Sequence, residues 1–426
     1  MRRAICLIAL ALAFITLSGA SSHAQKISAD EQRIIDYVDS HMGEAIITLE
    51  SVVNIESPSE DIAGVKQVGM VFKRELESLG LTAKWIDMPA EMNRAGHLVA
   101  ATKGTKGKRL LLLGHIDTVL RGEKFRREGN RAFGTGSSDM KAGNVVLLYA
   151  LKALNATGAL KDTRVTVMFT GDEESVGRPI EIARRDMLAA AKDSDLALSF
   201  EGTVGNTATV GRRGSSNWTL EVQARTGHSA GIFGESMGSG AIFEAARIVN
   251  QFYETLHNEK YLTFNPSVIV GGTEASLDGP TGAATGKTNV VAAKAIVRGD
   301  LRFISEAQKE AARAKMREIV ARSLPRASSK ISFDDGYPAM TPSDGNYALL
   351  KEMDQVSQDL GFGKIEALDP GARGAGDIAF VSHLIPGLDG IGASGGGAHA
   401  PGESVDLESL PKLTKKAALL IYRLTR

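Results

Sequence analysis

The segment Arg109-Leu-Leu-Leu-Leu-Gly-His115-Ile-Asp117 is the strongest indication of the fold in this sequence. Its leucines form an uninterrupted apolar run, which is typical of a strand that is buried on both faces of a parallel sheet. We therefore predict a strand over Arg109–Leu113. Two polar side chains, His115 and Asp117, then follow the carboxyl end of that strand.

Helix and strand patterns alternate on both sides of this strand. The apolar spacing predicts helices over residues 30–55, 61–79 and 142–154, and strands over 82–86, 97–101, 164–169 and 195–200. Strands that alternate with helices indicate an α/β domain with a mixed, mostly parallel sheet.

The pattern changes near Gly211. It predicts strands over 218–224, 262–271, 289–303 and 330–333, with helices over 240–255 and 305–322. This order is that of a ferredoxin-like α+β domain. After Pro338 the α/β pattern resumes, with a strand over 390–393 and a helix over 407–424. We predict a catalytic domain of residues 25–210 and 334–426, interrupted by an inserted domain of residues 211–333.

The first 24 residues have the pattern of a secretory signal peptide. Arg2 and Arg3 precede an uncharged run from Ala4 to Leu17, and small residues follow up to Ala24. The run is too short to span a bilayer. A buried N-terminal helix is the alternative to a signal peptide. Cleavage after Ala24 would remove the one cysteine of the chain, so the mature protein would use neither disulfides nor thiolate chemistry. We expect a secreted or periplasmic protein with no stable membrane anchor.

The overall charge is balanced. The 426 residues include 50 Lys and Arg and 50 Asp and Glu. Nucleic-acid-binding proteins usually carry a basic excess, so the balance argues against that class.

Acids and histidines follow several predicted strands or lie beside the next helix: His115, Asp117, Asp139, Glu173, Glu174, Glu201 and His399. The carboxyl ends of parallel strands form the binding edge of an open α/β sheet, so we expect these side chains to meet. Each has a simpler interpretation when taken alone. The histidine could be a satisfied polar group, the paired glutamates a solvated helix start, and Asp139 an N-cap.

A divalent metal would relieve the repulsion among carboxylates this close together. Imidazole and carboxylate ligands suit zinc, with manganese or cobalt as alternatives. The number of these acids and histidines fits a site with two metal ions that share one carboxylate. Asp139 would bridge, with His115 and Glu201 on one ion and Glu174 and His399 on the other.

Two acids remain outside this ligand set. Asp117 can accept the other ring N–H of His115 and orient it. Glu173 adjoins a ligand and is free to act as general base on a metal-activated water.

These motifs resemble those of the di-zinc exopeptidase and aminoacylase family, which includes glutamate carboxypeptidases, aminoacylase and succinyl-diaminopimelate desuccinylase. The resemblance covers essentially the whole mature chain. The matching segments are His115-x-Asp117, Gly136-x-x-Asp139-Met-Lys-x-Gly143, Asp172-Glu173-Glu174-x-x-Gly177, Glu201-Gly202 and His399.

The resemblance implies further features. The peptide bond after Asp139 would be cis, and the inserted domain would be a lid and a homodimerisation surface. His228 would help to bind the oxyanion or substrate, often across subunits. Asn289 would contact substrate, Arg373 would lie in a segment lining a substrate carboxylate pocket, and Arg302 would lie in an Asp-x-Arg pattern of structural importance.

Two departures bear on the substrate. Glu201 stands where many peptidase members have aspartate, whereas acylase-like and desuccinylase-like members tend to have glutamate. Residues 334–338 are acidic where glutamate carboxypeptidases have an arginine-bearing stretch. Arg212 and Arg213 could supply the missing positive charge, but the sequence favours solvated hinge residues.

The sequence therefore predicts an exported metal-dependent hydrolase of the carboxypeptidase or dipeptidase type, which cleaves an amide bond beside a free carboxylate in a small peptide. An amidohydrolase of N-acyl amino acids is the alternative within the family. A periplasmic solute-binding protein is the non-enzymatic alternative, and bound metal would separate it from the hydrolase.

Overall fold

The computed structural model describes residues 27–426. The predicted signal peptide, residues 1–24, lies outside the described residues. Within residues 27–426, no helix is both long and apolar enough to cross a membrane.

The first segment of the chain builds most of a layered α/β domain. Its helices are α1 Ala29–Val53, α2 Ile62–Ser78, α3 Ala142–Ala156, α4 Ile180–Ala183 and α5 Arg185–Lys192. Its strands are β1 Thr82–Asp87, β2 Gly96–Ala101, β3 Lys106–His115, β4 Arg126–Glu128, β5 Arg131–Phe133, β6 Thr163–Thr170, β7 Leu196–Ser199 and β8 Thr207–Ala208.

A lid of residues 214–335 follows. Its elements are β9 Gly214–Ala224, α6 Gly240–Leu256, β10 Thr263–Gly272, β11 Glu274–Asp278, β12 Thr281–Thr285, β13 Lys294–Phe303, α7 Glu306–Ala321 and β14 Ala327–Asp335. The four long strands form one antiparallel sheet in the order β10-β13-β9-β14. With α6 and α7 this is the ferredoxin-like order that the sequence predicts.

The chain then returns to the first domain. The returning elements are α8 Asp344–Asp359, β15 Glu366–Ala367, α9 Ile378–Val381, β16 Gly387–Leu388, β17 Gly395–Gly396, β18 Ser404–Asp406 and α10 Ser409–Leu424. Strand β16 completes the main sheet beside β7.

The main sheet is mixed and mostly parallel. Its order is β1-β2-β6-β3-β7-β16, with parallel pairing from β6 through β16 and antiparallel pairing of β1 and β2 at one edge. The leucines of β3 alternate between two cores. Leu110 and Leu112 pack in the cluster that contains α1, α3 and α10, whereas Leu111 and Leu113 pack in the cluster that contains α5 and α9. This burial on both faces explains why the strand is apolar throughout.

Two strand predictions are wrong in detail. The long lid strand begins at Lys294 rather than at residue 289, because Val290 bonds back to the carbonyl of Lys287 in a turn and an unpredicted β11–β12 hairpin precedes it. No strand covers residues 390–393. Gly390 has a φ of 68°, a left-handed conformation that ends the extended segment after β16.

Candidate metal centre

Three neighbouring parallel strands bring their carboxyl ends together. His115 at the end of β3 is in register with Thr170 at the end of β6, and Leu113 pairs with Ser199 at the end of β7. The residues that follow β6 and β7, among them Glu174 and Glu201, therefore emerge beside His115. This is the arrangement that the strand pattern predicts.

Asp139 approaches from the irregular turn that precedes α3. Its φ and ψ of −122° and 93° are not helical, and among the described residues no side chain caps the start of α3 at Ala142. The interpretation of Asp139 as an N-cap is therefore wrong. The Asp139–Met140 peptide bond is cis, as the family resemblance implies.

The five predicted ligands converge as two groups that share Asp139. His115, Asp139 and Glu201 form one group, and Asp139, Glu174 and His399 form the other. Within each group, the candidate ligand atoms lie within 4.8 Å of one another. Asp139 Oδ1 is 3.2 Å from His115 Nε2, and its Oδ2 is 3.2 Å from His399 Nε2.

The ring of His115 is held in one orientation. Its Nδ1 lies 3.1 Å from the main-chain carbonyl of Asp117 and 3.4 Å from that residue's Oδ1. A carbonyl can only accept, so Nδ1 donates and Nε2 is left to face Asp139 and Glu201. The carboxylate of Asp117 thus lies at the ring nitrogen that the sequence assigns to it, and the carbonyl of the same residue is a second, closer acceptor.

The Asp117 carboxylate also holds the Glu173–Glu174 segment. Its two oxygens accept the backbone N–H groups of Glu173 and Glu174, each at 3.0 Å, and the hydroxyl of Ser59 at 2.6 Å. The hydroxyl of Tyr337 donates to the carbonyl of Glu173 from the other side. Within residues 27–426, the Glu173 carboxylate itself makes no hydrogen bond, so it can accept a proton.

Burial raises the pKa of the three glutamates of this cluster, Glu173, Glu174 and Glu201. In contrast, hydrogen bonds to His115 and His399 lower the pKa of Asp139 in spite of its burial. Burial raises the pKa of Glu173 well above its ordinary value; His115 opposes this shift and Glu201 adds to it. Burial and the nearby Asp139 raise the pKa of Glu201 to about 7. Hydrogen bonds to Asp139 and Glu174 raise the pKa of His399 to about 10. The group thus carries more acid than its own cations can neutralise.

The donor set fits a pair of divalent cations. Imidazole nitrogens and carboxylate oxygens are the ligands that zinc and similar metals bind in proteins, and one shared carboxylate is the usual bridge between two ions. His115 and Glu201 would hold one ion, Glu174 and His399 the other, and Asp139 both.

Two cavities flank the cluster. The larger, of about 440 Å³, lies between the cluster and the lid, and Glu173, Arg212, Arg302 and Tyr337 line it. The smaller, of about 180 Å³, contains Arg373, whose Nη2 donates to the carbonyl of Gly202 at 2.8 Å. Asp139 and Glu201 border both cavities, so a substrate could extend to either side of the cluster.

Arg212 is not the solvated hinge residue that the sequence favours. It is 7% exposed, and its Nη1 lies 2.7 Å from Asp389 and 3.9 Å from Glu201. A Cβ atom on Gly376 would lie 2.3 Å from the guanidinium, so only glycine leaves room for it there. Arg213 is half-buried and donates to Thr263. The strong positive charge beside the cluster therefore comes from Arg212.

The predicted lid residues lie together but apart from the cluster. His228 and Asn289 are exposed, and the carbonyl of Asn289 accepts the N–H of Ser229 at 2.9 Å. Asn289 lies in the turn before β13 rather than in the strand. Within residues 27–426, neither residue lines the cavities beside the cluster.

Two residues of the site were missed from the sequence. Tyr337 joins the lid hinge to Glu173, and in the sequence the Asp-Asp-Gly-Tyr-Pro segment that contains it is distinctive only for its acids. Glu403 lies four residues after His399 and accepts hydrogen bonds from the turn that carries Asp139. The short distance along the chain from His399 was the one available signal for Glu403.

Known proteins resemble this chain over nearly its whole length. It is 29% identical over 390 residues to carboxypeptidase G2 of Pseudomonas sp. strain RS-16, covering 89% of each chain. It is 26% identical over 324 residues to succinyl-diaminopimelate desuccinylase of Gluconobacter oxydans strain 621H, covering 72% of this chain and 79% of that one.

The fold is also shared. The structure of the Bacillus subtilis YXEP protein, a dinuclear metal-binding peptidase from the M20 family, superposes with a TM-score of 0.63 at 15% identity, covering 91% of this chain and 99% of that one. Residues 111–423 match the family of peptidases M20/M25/M40. The ligand groups around Asp139 lie in the matched region, and the chain belongs to peptidase family M20/M25/M40, a family of metal-dependent peptidases and amidohydrolases.

Proposed function

We propose that this protein is an exported hydrolase of the carboxypeptidase or dipeptidase type, which cleaves an amide bond beside a free carboxylate. One observation carries the proposal. Two groups of metal-binding side chains share Asp139, and the unbonded carboxylate of Glu173 and two arginines line the same cavity.

The five ligands would hold two divalent ions, for which zinc is the best candidate. When bound, these ions would supply Lewis acidity that acidifies water and polarises the scissile carbonyl. Imidazole and carboxylate donors support zinc, and the same donors also accept manganese or cobalt.

Glu173 is the proposed general base. Its carboxylate faces the cavity while Asp117 and Tyr337 fix its main chain from two sides. Burial favours the protonated form of Glu173, so a proton taken from water could be held there and then passed to the leaving amine nitrogen. This accepting and donating role is the usual task of a positioned carboxylate.

Arginines would recognise the substrate carboxylate. Arg302 reaches the 440 Å³ cavity from β13 of the lid, with its Nε bonded to Asp300 at 2.9 Å. Arg212 is already paired with Asp389, so its charge is partly satisfied. Arg302 is also paired, but through its Nε alone and with a side chain that is 38% exposed, whereas the side chain of Arg212 is 8% exposed and bonded through both Nε and Nη1. Arg302 is therefore the stronger candidate for a direct carboxylate contact, since guanidinium groups bind carboxylates in a fork-like geometry.

The lid would also join two copies of the chain. Phe233, Ile242, Phe243 and Ile269 are exposed on the lid, and β10 is an edge strand of its sheet. Exposed apolar side chains beside an open sheet edge are typical of an association surface. In such a homodimer, His228 of one copy would reach the cavity of the other and stabilise the oxyanion together with the metals.

A second reaction within the family has specific support. Arg373 lies in the 180 Å³ cavity and Arg302 in the 440 Å³ cavity, and the cluster borders both. A substrate whose scissile amide bond lies at the cluster would therefore meet a guanidinium group on each side. This arrangement, together with Glu201, favours an N-acyl amino acid whose acyl group carries its own carboxylate. The relative from Gluconobacter oxydans is named as a desuccinylase.

A hydrolysis screen separates these alternatives. The metal-loaded protein is incubated with dipeptides, N-acyl amino acids and N-succinyl amino acids, and release of the free amine is measured. Hydrolysis confined to dipeptides supports the first proposal, and a preference for acidic acyl groups supports the second. Tight binding of a solute without hydrolysis, and without two bound metal ions, would instead support the solute-binding alternative.

A further inference from the structure

The carboxylate of Glu403 is buried against the turn that carries Asp139. Its Oε1 accepts the backbone N–H of Ser138 and of Asp139, each at 2.8 Å, and the hydroxyl of Ser138 at 3.0 Å. Its Oε2 accepts the N–H of Gly136 at 2.7 Å. The residue is 5% exposed, so these four bonds form away from bulk water.

The main chain of this turn is shaped to bind an anion. Gly136 is in the left-handed region at a φ of 75°. The N–H groups of Gly136, Ser138 and Asp139 all meet the one carboxylate, while the N–H of Ser137 donates to the carbonyl of Gly134. Backbone N–H groups that converge in such a turn form an anion-binding concavity. Glu403 supplies that anion from within the chain, which leaves none of these three buried donors unpaired.

Glu403 also fixes the loop that carries His399. Its own carbonyl accepts the N–H of Gly134 at 3.1 Å, and β18 starts at the next residue and pairs with β5. His399 lies four residues earlier, with a left-handed φ of 62° and a side chain that is 55% exposed. The same residue therefore joins the turn of Asp139 to the loop of His399.

We infer that Glu403 is a positioning residue that sets the spacing between Asp139 and His399 and thereby tunes the affinity of the metal centre. Glu403 is outside the proposed set of ligands; it acts through the main chain of Asp139 and the start of β18. Partners that orient metal ligands in this way typically change metal affinity by about 10- to 100-fold when they are replaced. The inference rests on the proposed metal centre.

The test compares Glu403→Gln and Glu403→Ala with a matched control, Glu123→Gln. Glutamine keeps one carbonyl oxygen but places its NH₂ against an N–H donor of the turn, so at least one of the four bonds is lost. Alanine leaves all three backbone donors unpaired. Glu123 also holds the His399 loop, since its carboxylate accepts the N–H of Gly402 at 3.1 Å. Its contacts with Thr135, at the start of the Asp139 turn, are made by its backbone and are kept when the side chain becomes glutamine.

Metal-free proteins are titrated with Co²⁺ and Zn²⁺, following the visible absorption of bound cobalt and the dissociation constants. We expect two ions per chain in the wild type, an affinity about tenfold weaker with an altered cobalt spectrum in Glu403→Gln, and a larger loss in Glu403→Ala. Glu123→Gln should stay within about twofold of the wild type. Circular dichroism verifies folding, and Glu403→Gln decides the outcome if Glu403→Ala does not fold.

The outcomes are distinguishable. Wild-type affinity and an unchanged cobalt spectrum in a folded Glu403→Gln would overturn the inference while leaving the metal centre intact. Equal losses in Glu403→Gln and Glu123→Gln would also overturn it, because the loop alone would then be responsible. A wild type that binds no metal would refute the proposed centre itself, and this inference with it.

Discussion

The carboxyl edge of the catalytic sheet and the surface of the lid present their candidate residues very differently. At the sheet edge, His115 and Glu201 are nearly buried, and Asp139 lies within 3.2 Å of two histidines. On the lid, His228 and Asn289 are exposed, and within residues 27–426 neither lines the cavities beside that cluster. Metal ligands need a fixed spacing before the metal arrives, whereas residues that close over a substrate must stay free to move or to meet a partner copy.

The largest effect is expected at the sheet edge, from Glu173→Gln. Loss of a positioned general base lowers turnover by about 10²- to 10⁴-fold. Metal binding should survive, because Glu173 is outside the proposed ligand set. The measurements are kcat on the best substrate of the screen and metal content by mass spectrometry. Substantial retained activity with two ions bound would exclude Glu173 as the base.

On the lid, His228→Ala should lower kcat by about 10²-fold, the usual cost of losing one donor to a developing oxyanion. Its exposed position predicts no change in metal content or Tm.

Mixing the His228→Ala variant with the Glu173→Gln variant tests action across subunits, because a mixed dimer would contain one intact site. Random exchange should restore about a quarter of the wild-type activity, as expected for a symmetric dimer. No recovery after verified exchange would contradict a site shared between subunits.

The same contrast explains what the sequence could predict. His115, Glu174 and Glu201 were foreseeable because parallel strand ends meet at one edge. The burial of Arg212 was not, since its partner Asp389 is 177 residues away along the chain and no local pattern links them. The lid could be recognised from its order of elements, but its β11–β12 hairpin was missed, because β11 has only five residues and β12 is exposed throughout and built of small residues without alternation. Helices and strands can therefore be predicted from the local periodicity of the sequence, whereas ion pairs between residues far apart along the chain can be seen only in the folded structure.

Arg302 lies between the two regions, since it belongs to the lid but reaches the cavity. Arg302→Ala should raise KM by about 10-fold or more with a small change in kcat, as expected when a charge-assisted contact to the substrate is lost. Arg298→Ala is the control, because Arg298 lies on the same strand but bonds to the carbonyl of Gly279 away from the cavity. If both variants raise KM equally, the increase comes from the loss of positive charge on the lid, and a specific contact between Arg302 and the substrate is excluded.

The smallest effect of a substitution is expected at the amino end of the main catalytic sheet, which is the end opposite the candidate metal centre. There Asp195 accepts from the side chain and the backbone of Arg109, and these bonds lower the pKa of Asp195 to about 2. A lowered folded-state pKa stabilises the protein above the unfolded value of about 3.9, and this stabilisation is lost as the pH falls toward 2.

Asp195→Asn should therefore lower Tm by about 1 °C at pH 7, because the pair is partly exposed and screened by solvent. The difference from the wild type should shrink between pH 4 and pH 2, in about the range set by the two pKa values. Thermal melts over that range measure it, with kcat at pH 7 as the second readout. Unchanged kcat would confine the chemistry to the carboxyl edge, whereas a clear loss of kcat would show that the two ends of the sheet are coupled.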